Sequence, residues 1–145
     1  MATESGFLQF VRDQMAIDAQ NLPDAAPAIA FCYALAIEIV NPAILTVSPL
    51  MYDQAVYNLA ADNLINFAPD YGDSSFFFDL RKKWSIGNFA AGVVQSTTDN
   101  STSTALLVQD AAKGFKLADL QNLKTPYGRQ YLYIAQRTST LWGIS

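Results

Sequence analysis

Ser48–Phe67 reads SPLMYDQAVYNLAADNLINF and carries the strongest helical signal in the chain. Ser48 suits an N-cap, because its hydroxyl can accept a bond from a first-turn N–H that has no carbonyl partner. Pro49 suits the first helical position, where a missing N–H costs nothing and φ is already set. Tyr52, Val56, Leu59, Ala60, Asn63 and Phe67 then recur as one stripe, while Asp53, Asn58, Asp62 and Asn66 fall mostly elsewhere. The turn cluster Ala68-Pro69-Asp70-Tyr71-Gly72-Asp73 ends the helix.

Upstream, the spacing of Phe7, Phe10, Val11 and Met15 predicts a first helix from about Thr3 to Asp18, with Thr3 as cap and Glu4 favourable in the first turn. Asn21-Leu22-Pro23-Asp24 breaks that pattern. A second helix is expected to start at Asp24 or Ala25, to hold Pro27 in its first turn, and to end before Asn41-Pro42. Its apolar run, Ala25 to Val40, carries Glu38 and falls short of the roughly 20 residues that cross a bilayer, so it reads as a core helix. Met1-Ala2-Thr3-Glu4-Ser5 has neither the cationic nor the apolar region of a signal peptide, and an intracellular origin is expected.

Downstream, a fourth helix is expected over Ser75 to Ser85, with Arg81-Lys82-Lys83 at the end where the helix dipole favours cations. The character changes at Ala91. Gly92 to Thr98 and Ser103 to Val108 read as two strands joined by the polar turn Asp99-Asn100-Ser101-Thr102. A lone hairpin is marginal in water, so this one needs a partner. A short helical turn is expected over Lys116 to Leu123. A last helix then starts near Thr125 and Pro126 and runs to about Arg137, leaving a tail over 138–145 that holds Trp142. The expected fold is mainly α: one domain over 1–145, a compact bundle of about four to five helices. A β-hairpin excursion, about 91–109, lies between the fourth and last helices.

Composition narrows the function. Hydrophobic residues make up 51% of the 145 and charged residues only 15%, an apolar balance that points to surface covered by other subunits. The net charge of −4, with no basic stretch longer than Arg81-Lys82-Lys83, makes phosphate binding a poor fit. The chain has no histidine, which removes a Ser-His-Asp triad and the commonest general base. The single cysteine, Cys32, sits in an apolar run and reads as a buried thiol.

The carboxylates are spread singly and form no ligand or acid-pair motif. No phosphate-binding glycine loop is present. Arg81-Lys82-Lys83-Trp84 could stack on nucleic acid, but on an acidic chain it reads as a solvated helix end or a subunit contact. No catalytic residue, metal or cofactor is expected. Phe76-Phe77-Phe78 cannot all face one core from one helix, so at least one should be exposed or held by a partner. With Tyr127 and Trp142 these are the candidate aromatic anchors of an interface; a helix buried on two sides is the alternative for the triplet. Gly128 inside a helix implies close approach of another backbone, and Arg129 beside it suits a bidentate bond to a carboxylate or carbonyl pair.

Three blocks carry a resemblance. They are Gly92-Val93-Val94-Gln95-Ser96, then Leu106-Leu107-Val108, then Leu123-Lys124-Thr125-Pro126-Tyr127-Gly128-Arg129-Gln130-Tyr131-Leu132. Together they resemble the small head–tail connector, or head-completion adaptor, proteins of tailed bacteriophages, which tend to end in a strand pair and a Thr-Pro-Tyr-Gly-type helix. Ala55-Val56-Tyr57-Asn58-Leu59-Ala60-Ala61 is similar to that family's central helix. Family members often have a histidine after the two alanines; Asp62 stands there in this chain, so no role carries over to it.

The resemblance implies a non-enzymatic virion protein in the neck between capsid and tail, assembled in the host cytoplasm. It implies a ring of about twelve copies docked under the portal and meeting a tail or nozzle component. DNA would pass through unbound, and no membrane would be involved. The alternatives from the residues alone are a small acidic helical binding or regulatory module and a small hydrolase working through Asp and Lys groups.

Overall fold

The structure, a computed structural model, describes residues 1–86, 97–99, 102–104 and 122–139. Six helices occur among them: α1 (Glu4–Asp13), α2 (Pro27–Ile39), α3 (Ile44–Val47), α4 (Pro49–Phe67), α5 (Phe76–Lys83) and α6 (Pro126–Ser139). The mainly helical class expected from the sequence holds. Two three-residue strands, β1 (Thr97–Asp99) and β2 (Thr102–Thr104), pair antiparallel with Asp99 opposite Thr102. This pairing does not establish the excursion expected over 91–109, most of which lies outside the described residues, as do residues 116–121 of the turn expected over Lys116 to Leu123.

α4 is the axis of the molecule. The other five helices all pack on it, α2 and α6 most extensively. Its N-terminus forms as the sequence predicts: Ser48 Oγ accepts from Met51 N at 3.3 Å, with Pro49 at the start. Burial then runs without a break from Asn58 to Ile65. The single stripe expected for this helix is therefore too narrow. Asn58 and Asp62, expected off the stripe, are buried, because a helix enclosed on several sides has no solvent face. Phe67, expected on the stripe, is 62% exposed, while Ala68 beside it is buried.

α1 stops at Asp13, earlier than expected. Arg12 explains the early stop. Its guanidinium donates to Ile17 O at 2.7 Å and to Leu22 O at 2.6 Å, and pairs with Asp24. That bridge folds the following loop back and buries Ile17 and Leu22. Ala16 accommodates the reversal with a φ of 53°, in the left-handed region.

α2 starts with Pro27 and ends at the residue before Val40, short of Asn41-Pro42 as expected. Cys32 on it is buried, and burial pushes its thiol pKa up to about 12. The short α3 was not anticipated. A turn joins α4 to α5 and serves both ends. Asp70 accepts from Phe77 N at 2.7 Å, capping α5, while Arg81 donates to Ile65 O at 3.1 Å and Ala68 O at 2.8 Å, closing the carboxyl end of α4.

Candidate docking surfaces and the buried joint at Asp62

The outer side of α2 is the most apolar exposed element. Ala30, Phe31, Ala34, Ile37 and Glu38 lie at helical spacing and all are exposed, Phe31 to 60%. Only Glu38 among them is charged. A helix apolar on every side is normally buried on every side. Here the inward residues Ile29, Cys32 and Ala36 are covered and the outward ones are not. Just beyond, Ile39, Val47 and Leu50 are exposed as well.

The expected anchor residues separate into different environments. Phe77 is fully buried and belongs to the core, so it is not available to a partner. Its burial follows from helix geometry, since one of three consecutive residues on a helix packed on one side must point inward. Phe76 is half-buried and meets Phe77 edge-on, with ring centroids 5.3 Å apart. Phe78 is exposed, as the triplet argument requires of at least one member.

Tyr127 is half-buried, edge-on to Phe10 with centroids 6.2 Å apart, and its hydroxyl donates to Gln14 O at 3.4 Å. Burial raises its pKa. Arg129 is exposed and donates to Leu123 O at 3.1 Å, one carbonyl rather than a pair. Trp142 lies outside the described residues. Most of the tail does too, but Thr138 belongs to α6 and is buried, its hydroxyl donating to Ile134 O at 2.9 Å.

An open groove of about 410 Å³ lies between α1 and α4, lined in part by Gln9, Phe10, Asp13, Gln14, Gln54 and Tyr57. Its polar groups are mostly neutral amides. The Tyr57 hydroxyl at its edge accepts from Thr3 N at 3.1 Å. Among the described residues no cluster of three or more His, Cys, Asp or Glu side chains could hold a metal, and no helix is long and apolar enough to cross a membrane.

The sequence pattern gives no warning of a joint between α4 and α6. Asp62 is the only charged side chain buried among the described residues, at 1% exposure. Thr125 Oγ1 donates to Asp62 Oδ1, and Asn66 Nδ2 donates to Asp62 Oδ2 at 3.2 Å. Thr125 Oγ1 accepts in turn from Gly128 N at 2.9 Å, and Thr125 O accepts from Arg129 N at 3.1 Å, so Thr125 is the N-cap of α6.

The close approach expected at Gly128 is made by the chain itself. A Cβ there would overlap the Asn122 carbonyl oxygen and come within 2.8 Å of Asp62 Oδ1. Burial pushes the Asp62 carboxyl up to about 6, against the opposing effect of the Thr125 bond. Beside it, Asn63 Nδ2 is buried without a hydrogen-bond partner among the described residues. The one hint of burial in the sequence is that Asp62 lies three residues from both Leu59 and Ile65; nothing local points to Thr125 as its partner. No family model, curated protein or solved structure matches the chain.

Proposed function

We propose that this chain is a structural docking subunit without enzymatic activity, an adaptor that forms a ring between the portal and the tail of a tailed phage. The observation that carries the reading is the outer side of α2. Phe31, Ala34 and Ile37 on a helix with one exposed charge make a surface better suited to another protein than to water. The exposed Phe78 adds an aromatic residue of the kind that anchors interfaces.

The choice of portal and tail as partners rests on the resemblance at Gly92–Ser96 and Leu123–Leu132. In this reading the helices form the ring body and a hairpin over 91–109 reaches a neighbour or the next tail component. The segment after α6 enters the portal. The net charge of −4 suits a wall past which DNA slides without being held.

Native mass measurement of the purified protein, alone and mixed with portal, tests the reading. The expected result is a ring of subunits, alone or on the portal. A stable monomer indifferent to portal would overturn it.

A further inference from the structure

We propose that the Asp62–Thr125 contact is a proton-dependent latch: it holds the first turn of α6, with Tyr127 and Arg129, against α4 most firmly while Asp62 carries a proton, and loosens as that proton is lost to water. The inference is independent of the docking reading, since it concerns one chain.

The geometry is that of a closed polar site with no counter-charge among the described residues. Asp62 is buried, and among the described residues its two carboxyl oxygens meet only neutral donors, Thr125 Oγ1 and Asn66 Nδ2. Gly128 and the Asn122 carbonyl press against it so closely that a methyl group has no space. Two neutral donors do not replace the hydration of an ionised carboxylate.

The cations of the neighbouring elements are engaged elsewhere. Arg12 of α1 bridges Ile17, Leu22 and Asp24. Arg81 of α5 closes the end of α4. Ahead of and within α6, Lys124 donates to Ser85 O at 3.4 Å, Arg129 to Leu123 O, and Arg137 to the Tyr133 hydroxyl at 3.3 Å. Lys82 and Lys83 are exposed. Among the anions, Glu4 and Asp13 of α1, Glu38 of α2 and Asp79 of α5 are all exposed. α3 has no charged residue. Burial raises the carboxyl to about 6, and the Thr125 bond is the one opposing influence.

The direction follows by linkage. With the carboxyl at about 6 in the closed joint and about 3.9 in water, closure is most favoured below about pH 4. The advantage is lost as pH rises to 6 and stays lost above it. Opening lets water reach the carboxylate and frees the Gly128 and Arg129 amides, both bonded to Thr125.

Amide exchange at Gly128 and Arg129, followed by NMR from pH 4 to 7 alongside the Asp62 carboxyl carbon shift, tests the latch. Protection of these two amides should fall about fiftyfold over that range relative to Asp62→Asn, the part of the gap between a carboxyl pKa of about 6 in the closed joint and about 3.9 in water that develops between pH 4 and 7. The carboxyl shift should turn over near pH 6. Amides in the middle of α4, which exchange through unfolding of the whole chain, should stay better protected than these two at every pH. The latch is overturned if Asp62 titrates below pH 5, or if the two amides in the wild type follow the same pH course as in the variant. Protection of the two amides equal to that of the α4 amides at every pH would also overturn it, since that is unfolding of the whole chain. Should Asp62→Asn not fold, the wild-type carboxyl titration and the comparison with α4 amides still decide.

Discussion

At Gly128 and Ala16 a glycine–alanine exchange has opposite expected consequences, and only the surroundings set the sign. Gly128 is in α6, where alanine would ordinarily gain up to about 1 kcal/mol. The overlap with Asn122 reverses that, and Gly128→Ala is expected to lower unfolding stability by about 2 kcal/mol in urea titration. Ala16 is held in the left-handed region, and Ala16→Gly is expected to raise stability by about 0.5–1 kcal/mol in the same measurement. Asp62 makes a third residue whose effect depends on its setting. Its raised pKa means that it favours the folded state below about pH 4 and loses that contribution as pH rises through about 6. Asp62→Asn should flatten this part of the stability profile between pH 4 and 6, read by denaturant midpoints across the range.

Helix ends, more than helix interiors, fix how the elements meet. The Asp70–Arg81 corner holds the end of α4 and the start of α5 with side chains from each other's neighbourhood. Arg81→Ala removes donors to two carbonyls at once and is expected to cost about 2 kcal/mol. Arg81→Lys, lacking the planar fork, should recover only part of it. Thermal unfolding of the two variants checks this; equal stability of Arg81→Ala and wild type would mean that water replaces the guanidinium at no cost. The caps at Ser48 and Thr125 were legible as residue patterns. The α4–α5 corner was not, because it depends on Arg81 lying over carbonyls 13 and 16 residues earlier in the chain.

Across the whole molecule, α4 is covered on most sides while α2 is covered on one, and that asymmetry places the exposed apolar surface. Phe31→Asp and Ile37→Asp change exposed residues and should alter monomer stability by less than about 0.5 kcal/mol. Both should abolish self-association or portal binding in native mass measurement if the outer side of α2 is the docking surface. The carboxyl-terminal tail needs a revised boundary. Thr138 is buried in α6, so deletion from Thr138 would damage the fold as well as the tail. Deletion of 140–145 should leave the melting temperature unchanged and impair docking; normal assembly of the truncated protein would show that Trp142 is not an anchor.

Of the six described helices, all but the short α3 were readable from the chain. Local preferences set by proline, serine and threonine at helix starts, and by Asn41-Pro42 after α2, depend on near neighbours and survive without the fold. The apolar character of α2 was equally plain, as was the need for one of three consecutive phenylalanines to face outward. What the tertiary structure decided was which apolar residues are covered and what each buried polar group meets. Phe77 went inward and Phe67 outward, Arg12 turned the loop after α1, and Asp62 met Thr125 across 63 residues of chain. Burial and pairing are properties of packed neighbours, and neighbours distant in sequence leave no local pattern from which to read them.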